Sequence, residues 1–331
     1  MTVDTSTRAQ PTVGEPGAVG ATPRLRPGRR VRTARRPRSW APLILLAPAG
    51  AVLAVVLGYP LVRLVVNSFQ DFGLRALFTG DTEWIGFANY AAVFSDPQFG
   101  PVLVRTAVFT LSLVIGCLII GMAMSQMMVH LGRGVRTVLN FVLILAWALP
   151  TVSSTLVWQW LFQPVYGVFN WVITRLGWFG DFTSHSWTGN AGDAFFIVWL
   201  LIVWQSVPFV ALTLYAGQSQ IPAEYYEAAQ LDGASEWRIY RSITLPFLRP
   251  VLYLVAILQV IWHFNTFNQL WILTQGGPDS GTTTLSIWSF QKAFAANSFG
   301  QGSAIAVITA ILLVILTAFY IRRLIRTGEM E

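Results

Sequence analysis

The run Thr106–Met128, TAVFTLSLVIGCLIIGMAMSQMM, decides the fold class, because it has 23 residues and no charged side chain. A helix of about 20 apolar residues crosses a hydrocarbon layer roughly 30 Å thick. Lipid offers no partner for an unpaired backbone group, and the run lacks the polar–apolar alternation of a barrel strand. It therefore predicts a membrane-spanning helix.

Five further apolar runs predict five more spans. They cover residues 41–62, 137–162, 194–215, 250–274 and 303–321. The chain has 331 residues, of which 54% are hydrophobic and only 11% charged, a composition outside the soluble globular range. We predict an all-α integral membrane protein with six transmembrane helices.

The basic residues predict the orientation, because positive charge near the ends of spans is retained on the cytoplasmic side. Nine arginines precede the first span, and most of the other basic residues lie in segments on that same side. Both termini are therefore predicted to be cytoplasmic. This topology accounts for the net charge of +7, so the charge indicates lipid contact and no nucleic-acid partner.

The first 40 residues differ in composition from the rest of the chain. They are rich in Pro, Gly, Thr and Arg and have almost no large apolar side chains with which to bury surface. They predict a disordered, Arg-rich cytoplasmic tail, and residues 41–331 then form one six-helix transmembrane domain. Cys117 is the sole cysteine and is expected to be a small packing residue.

A polar segment, residues 221–249, separates the fourth and fifth predicted spans. Pro222 suits the first turn of a helix, where its missing N–H costs nothing, and a helix is predicted from about Pro222 to Leu231. Gly233 suits the left-handed residue that ends a helix, and the preceding aspartate is expected to bond backbone donors at the turn. A second helix is predicted over residues 235–244, ending before Pro246. The segment thus predicts two short helices joined by a turn.

This segment resembles the cytoplasmic signature loop of permease subunits of bacterial ATP-binding-cassette (ABC) importers. The matching residues are Glu227, Ala228, Ala229, Asp232 and Gly233, followed by Ile243, Leu245 and Pro246. In that family the loop supplies a coupling helix that sits in a cleft of the ATPase subunit. The resemblance implies the type I importer permease fold and an ATPase-coupling role for the eight residues. The two alanines would allow close approach, and Glu227 would face an arginine of the partner.

Three other stretches are similar to the maltose-type carbohydrate permeases of this family, and the similarity runs from about Ala41 onward. They are residues 85–90, 158–170 and 273–278. The similarity implies a multi-pass protein of the bacterial plasma membrane. Its implied partners are a second permease chain, identical or homologous, an ATPase dimer, and an extracellular or periplasmic sugar-binding protein. ATP and Mg²⁺ would be bound by the ATPase. This chain lacks a Gly-x-x-x-x-Gly-Lys phosphate loop and is expected to hold no cofactor or metal and to catalyse no reaction.

A polar and aromatic stripe in the fifth predicted span is the candidate sugar path. Gln259, Trp262, His263 and Thr266 recur at i, i+3, i+4 and i+7, which places them on one helical face. Aromatic rings pack on sugar rings, and polar side chains bond sugar hydroxyls. Similarity to the family adds Gln205, Ser206 and Phe209, with Asn265 and Asn268 as the alternative set in the fifth span. Alternatively, these polar side chains hold helices together.

The predicted function is ATP-driven, binding-protein-dependent import of a sugar, in particular a disaccharide or oligosaccharide, by alternating access. A glycerol-phosphate-type ABC permease is the alternative within the family, although no cationic cluster lies in the spans. An ion-coupled secondary transporter is less favoured, because the spans lack carboxylates and obvious inverted repeats. A membrane-embedded enzyme is also less favoured, because the three scattered histidines suggest no nucleophile–base pair.

Overall fold

The computed structural model describes residues 41–178 and 180–326. The chain divides into two units, residues 1–53 and 54–331. In the first unit the described residues form α1 (Ala41–Leu53), and the predicted tail over residues 1–40 lies outside the described residues. The second unit opens with a π-helical turn, Ala54–Gly58.

The second unit is built from helices and one small hairpin. The helices are α2 (Tyr59–Ser68), α3 (Leu74–Thr79), α4 (Ala88–Ser95), α5 (Phe99–His130), α6 (Arg133–Ala148), α7 (Thr151–Leu161), α8 (Val168–Leu176), α9 (Ala191–Gln218), α10 (Ala223–Leu231), α11 (Glu236–Ile239), α12 (Leu245–Phe264), α13 (Asn268–Thr274), α14 (Leu285–Phe290) and α15 (Phe299–Arg326). Two further π-helical turns cover Tyr240–Thr244 and Gln291–Ala295. Strands β1 (Gln70–Asp71) and β2 (Glu83–Trp84) pair antiparallel. The all-α prediction is confirmed, with this two-residue hairpin as a local exception.

Among the described residues, five helices are long and apolar enough to cross a membrane, and the bent pair α6–α7 makes six if it counts as one span. The five are Ile44–Ser68, Phe99–His130, Ala191–Gln218, Glu236–Phe264 and Phe299–Arg322. The prediction of six membrane spans is confirmed in this form. Most of these helices extend several residues beyond the predicted apolar runs into flanking polar and aromatic residues.

The third predicted span, residues 137–162, contains Pro150, which predicts a bend, and the structure divides the span into α6 and α7. The helices α6 and α7 meet at a bend of 96° beside Pro150. Proline disfavours helical backbone at the residue before it, and Leu149 adopts the extended values φ −63° and ψ 130°. Pro208, in contrast, lies inside α9, which continues to Gln218. The two prolines therefore have different effects, although both interrupt the helical hydrogen-bond pattern.

The prediction that Pro246 ends a helix is wrong. The helix α11, the π-helical turn and α12 together form a helix of 29 residues, Glu236–Phe264. The N–H of Leu245 bonds the carbonyl of Tyr240, five residues back. This π-type bond shifts the hydrogen-bond register just ahead of Pro246, which then occupies the first turn of α12. The π-helical turn thus accommodates Pro246 within a helix that continues through it.

The core is organised by α5 and α9, which pack along their length at two glycines of α5. A Cβ atom at Gly116 would lie 2.4 Å from Cζ2 of Trp199, and one at Gly121 would lie 2.4 Å from Cγ1 of Val210. Small residues permit this close approach of helices within a membrane. The residue numbers at these contacts increase together along both helices, so α5 and α9 run in the same direction. Cys117, fully buried, belongs to this core.

The end of the bundle at which α5 and α15 begin is capped by the hairpin, α4 and the π-helical turn after α14; we call it the α4 end. Lys292 Nζ lies 2.9 Å from Asp96 Oδ2. The backbone N–H of Gln98, followed by Lys292, lowers the pKa of Asp96. The ion pair therefore stabilises the cap above the ordinary carboxyl pKa of about 3.9 and loses its effect as the pH falls through the lowered value. The opposite end, which carries α10, is called the α10 end.

We expect Gly121→Ala to destabilise the protein by about 1–3 kcal/mol, because the added methyl overlaps the branched side chain of Val210. Gly100→Ala is the matched control on the same helix, since nothing lies within 4 Å of the position that its added Cβ atom would take. Thermal unfolding of the purified protein in detergent measures the difference. Equal midpoints for the two variants would show that the α5–α9 contact is not close-packed.

Candidate functional site

A cavity of about 430 Å³ lies between the α6–α7 bend, α9 and the end of α12; we call it the central cavity. Its lining residues are Trp147, Leu149, Thr151, Ile202, Gln205, Ser206, Trp262, His263, Asn265, Thr266, Phe267, Asn268 and Gln269. The volume falls within the range of about 300–1,000 Å³ that is typical of small-molecule sites. None of these described residues is Asp, Glu, Lys or Arg. The cavity is therefore polar and aromatic without a fixed charge.

The central cavity lies where α12 breaks. The predicted span over residues 250–274 is wrong as one helix, because Asn265 (φ −110°, ψ 32°) and Phe267 (φ −120°, ψ −58°) leave the helical region before α13 begins. Side chains bond carbonyls freed by the break: Thr266 Oγ1 donates to the carbonyl of His263 at 3.0 Å, and Ser286 Oγ donates to that of Thr266 at 2.8 Å. Such backbone is tolerated at membrane depth only where protein or a cavity surrounds it.

The bend between α6 and α7 forms a second wall, and Gln205 of α9 holds it. Gln205 Nε2 donates to the carbonyl of Leu149 at 3.2 Å and lies 3.4 Å from Ser154 Oγ. Leu149 is the residue that Pro150 pushes out of helical conformation, so its carbonyl has lost its place in the α6 hydrogen-bond ladder. The Gln205 side chain thus has a structural partner as well as a position in the cavity wall.

Two tryptophans supply the aromatic surface of the central cavity. Trp262 and Trp147 are each about half exposed, at 45% and 50%. The ring of Phe209 lies behind both, 5.1 Å from Trp262 in a T-shaped contact and 5.9 Å from Trp147 in a stacked one. Aromatic pairs in these arrangements contribute about 0.5–1.5 kcal/mol beyond their buried area. Phe209 therefore orients the two indole rings that face the cavity.

The structure brings five of the seven predicted substrate-path residues to the central cavity: Gln205, Ser206, Trp262, His263 and Thr266. Phe209 supports the two tryptophans from behind. Gln259 lies one turn away and is fully buried, and neither its Nε2 nor its Oε1 has a hydrogen-bond partner among the described residues. The helix has ended before Thr266, so this residue reaches the cavity from the break instead of from the helical face that the spacing predicted.

Several lining residues were not in the predicted set. Asn265 and Asn268, the alternative set, face the same cavity as Trp262 because the backbone between them is not helical. Trp147 and Gln269 were missed. The available signals were the position of Trp147 just ahead of Pro150 and the cluster of amide side chains from Asn265 to Gln269, which is unusual between two apolar runs.

The predicted coupling helix corresponds to α10. It follows Pro222, one residue from the predicted start, and ends as predicted at Leu231. Gly233 has φ +74°, and the N–H groups of Gly233 and Ala234 bond the carbonyls of Gln230 and Ala229, each at 3.0 Å. This pair of bonds is a Schellman motif. The Asp232 side chain makes no hydrogen bond within the described ranges 41–178 and 180–326, so the predicted backbone cap is absent from this part.

The eight predicted coupling residues fall into two groups. Glu227, Ala228, Asp232 and Gly233 are exposed and Ala229 is partly buried, whereas Ile243, Leu245 and Pro246 are partly buried in the long helix that follows. The Tyr226 hydroxyl lies 3.2 Å from Thr244 Oγ1 and ties α10 to that helix. Leu231, 89% exposed, leaves an apolar side chain at the tip of α10. The first group forms an accessible surface, and the second group supports it.

A bundle of membrane spans with two broken helices around a polar cavity is the architecture of a transport permease. A family model described as "Binding-protein-dependent transport system inner membrane component" matches residues 117–327. The chain is 44% identical to the diacetylchitobiose uptake system permease protein DasB of Streptomyces coelicolor, over 92% of each chain. It is 32% identical to the trehalose/maltose transport system permease protein MalF of Thermococcus litoralis, over 82% of this chain and 90% of that protein.

A structural comparison agrees. The crystal structure of a bacterial ABC transporter that imports the acidic polysaccharide alginate superposes with a TM-score of 0.73 at 19% identity, covering 87% of this chain and 96% of that chain. This similarity shows the ABC importer permease fold. The chain belongs to the family of binding-protein-dependent transport system inner membrane components. It is a multi-pass permease of the bacterial inner membrane, and the predicted family, permease class and localisation are confirmed.

We expect Gln205→Leu to destabilise the α6–α7 bend by about 0.5–1.5 kcal/mol, because the carbonyl of Leu149 loses its donor. Gln220→Leu is the control, because Gln220 is exposed just beyond α9. Thermal unfolding in detergent compares the two. A Gln205→Leu midpoint equal to that of the control would contradict the structural role of this amide.

Proposed function

We propose that this chain is the permease subunit of an ATP-driven importer of a neutral disaccharide or oligosaccharide. The observation that carries the proposal is the central cavity, in which two tryptophans face amide and hydroxyl side chains without any Asp, Glu, Lys or Arg. The relatives named for diacetylchitobiose and for trehalose/maltose support the same class. A glycerol phosphate would need a cation for its phosphate, which the described lining residues do not provide.

The chemistry of the lining suits a pyranose ring. Indole rings offer a flat apolar surface to the ring face, and Trp262 and Trp147 expose such surfaces. Amide side chains both donate and accept hydrogen bonds, so Gln205, Asn265 and Asn268 can pair with hydroxyl or acetamido groups in either sense. An ionised carboxylate offers acceptors alone. The cavity therefore favours a polar ligand without net charge.

Coupling to ATP is assigned to α10, which lies between two helices that both reach the central cavity. The helix α9 carries Gln205 and Ser206 and ends at Gln218, four residues before Pro222 begins the α10 region. The long helix after α10 carries Trp262 and His263 in its last turn and ends at Phe264. A displacement of α10 by a docked ATPase would move both walls together and change which side of the membrane the cavity faces. The chain itself would be non-catalytic, with ATP and Mg²⁺ bound by the ATPase dimer.

The remaining partners follow from the same scheme. An extracellular or periplasmic binding protein would deliver the sugar at the α4 end, and a second permease, identical or homologous, would complete the pathway. One solved relative of this fold is an alginate transporter in complex with a ligand-bound periplasmic protein, which supports this assembly. The α10 end would face the cytoplasm, because Arg133, Arg136, Arg238 and Arg241 cluster there.

We expect Trp262→Ala to lower kcat/KM for sugar uptake at least about tenfold, equal to a loss of about 1.4 kcal/mol, because one of the two stacking surfaces is removed. Proteoliposomes containing the complete importer measure uptake. Trp178→Ala is the control, since Trp178 is 79% exposed and lies outside the central cavity. Uptake by this chain alone would instead indicate an ion-coupled carrier, and loss of complex assembly in Trp262→Ala would indicate a packing role.

We expect Gly233→Val to lower uptake and recovery of the ATPase with the complex, while Gly233→Asn retains most of both. No described residue lies within 4 Å of a Cβ at this position, so the difference between the variants reports backbone conformation. A left-handed residue with a Cβ costs about 1–2 kcal/mol, and asparagine tolerates that conformation best. Equal ATPase recovery and uptake for both variants would argue against docking at α10.

A further inference from the structure

A second cavity, of about 600 Å³, lies between α2, α14 and α15 near the α4 end. The predicted substrate path did not include it. Its walls carry several phenylalanines, among them Phe72, Phe290 and Phe294, and small residues of α15 such as Ala306 leave the space open. None of its described lining residues is charged. We call it the α15 cavity.

The α15 cavity and the central cavity share a wall. Asn265 and Phe267 line both, because the segment between α12 and α13 separates one space from the other. This segment is not helical, and Ser286, which lines the α15 cavity, bonds the carbonyl of Thr266 in the middle of it. The partition between the two cavities is therefore a single non-helical segment with its side chains, and the hydrogen bond from Ser286 on the α15 cavity side stabilises it.

A row of phenylalanines lines the α15 cavity from that partition towards the α4 end. Phe267 lies 5.0 Å from Phe290, Phe290 lies 4.8 Å from Phe294, and Phe294 lies 5.7 Å from Phe299, measured between ring centroids. Phe294 is 59% exposed, so the row begins at the surface. Each ring presents a flat apolar surface of the kind that a pyranose ring packs on.

Polar groups without partners also face this cavity. The side chains of Asn265 and Ser303 make no hydrogen bond to any part of the chain that the structure describes. The Asn265 amide and the Ser303 hydroxyl can each donate and accept hydrogen bonds, and hydroxyl groups of a ligand would pair with them. A purely apolar occupant would leave these groups unpaired.

We propose that the α15 cavity is a second sugar-binding subsite, which holds a neutral sugar at the α4 end before it passes the Asn265–Phe267 partition into the central cavity. This inference rests on the proposed function. Two features carry it: the phenylalanine row leads from the surface to the partition, and unpaired amide and hydroxyl groups face the same space. The absence of charge among the described lining residues selects the same neutral class as the central cavity.

The test uses one position, Ala306, in the complete importer reconstituted in proteoliposomes. Ala306→Phe fills the cavity, and we expect it to raise KM for diacetylchitobiose at least about fivefold while the rate at saturating sugar falls less than twofold. Ala318→Phe is the control, since Ala318 is exposed on the same helix and does not line the cavity. Uptake by the unmodified importer tests the proposed function separately, with maltose as a second neutral probe.

A labelling experiment measures directly whether sugar occupies the α15 cavity. Ala306→Cys is treated with a small thiol reagent from the α4 side; the native Cys117 is fully buried and gives little background. We expect diacetylchitobiose to slow the reaction at Ala306→Cys by at least about threefold and to leave the exposed control Ser95→Cys unaffected. Protection in a complex that carries Trp262→Ala would show that the subsite binds independently of the central cavity.

Three outcomes would overturn the proposal while leaving sugar import intact. If the unmodified importer transports sugar and Ala306→Phe does so with unchanged KM, the cavity is not on the path. If Ala306→Phe prevents assembly with the second permease, the space belongs to a protein interface. If protection of Ala306→Cys follows lipid composition and ignores sugar, the occupant is a lipid chain.

Discussion

The close approach of α5 and α9 at Gly116 and Gly121 fixes the frame on which the other elements depend. Because no Cβ separates the helices there, Trp199 and Val210 pack directly on the backbone of α5. The helix α9 then presents Gln205, Ser206 and Phe209 at fixed heights, and α5 places the Sγ atom of Cys117 3.8 Å from Nε2 of His263. The positions of three walls of the central cavity thus depend on the contact between α5 and α9. The hydrophobic effect does not drive such packing in a bilayer, because hydrocarbon tails are as apolar as the side chains. Van der Waals contact between closely spaced backbones stabilises it instead.

The two broken helices depend on this frame for their hydrogen bonds. In a bilayer an unpaired carbonyl has no water to bond, and each break is therefore stable only beside a side chain that replaces the lost donor. Gln205 serves the α6–α7 bend, and Thr266 and Ser286 serve the end of α12. Gln259 is the counterexample, because it is buried with both polar atoms unpaired. The carbonyls at the two helix breaks thus have hydrogen-bond partners, whereas the side chain of Gln259, about one turn before the end of α12, has none among the described residues.

Local chemistry made the spans and α10 predictable from the sequence. The signals are local: a run of about 20 apolar residues marks each span, and a proline and a glycine mark the two ends of α10. None of them depends on a tertiary partner. The prolines were harder. Pro150 breaks its helix, Pro208 does not, and Pro246 is accommodated by a π-helical turn. Which outcome occurs depends on distant donors such as Gln205, and nothing near a proline in the sequence identifies them.

The candidate site was predictable to a similar degree and for the same reason. The spacing of Trp262 and His263 brought them to one cavity because they lie on an intact helix. Thr266, Asn265 and Asn268 converge on that cavity only because the helix ends at Phe264, and a helical wheel separates residues that the unwound backbone brings together. Trp147 reaches the cavity through the bend at Pro150, a long-range consequence that periodicity does not contain.

The uninterrupted course of α9 has a mechanical consequence. A helix of 28 residues is about 42 Å long, and α9 runs from the α4 end to the turn before α10 without a break. A rod of that length that tilts by about 5° about one end moves the other end by about 4 Å, more than the rise of two helical residues. Since Gln205 lies near the middle of α9, a displacement at α10 would reach this wall of the central cavity at about half its amplitude. The parallel helix α5, which packs against α9 at two glycines, would have to tilt with it. The pair would then move as one rigid body, and the length of α9 would set how far each point along it moves.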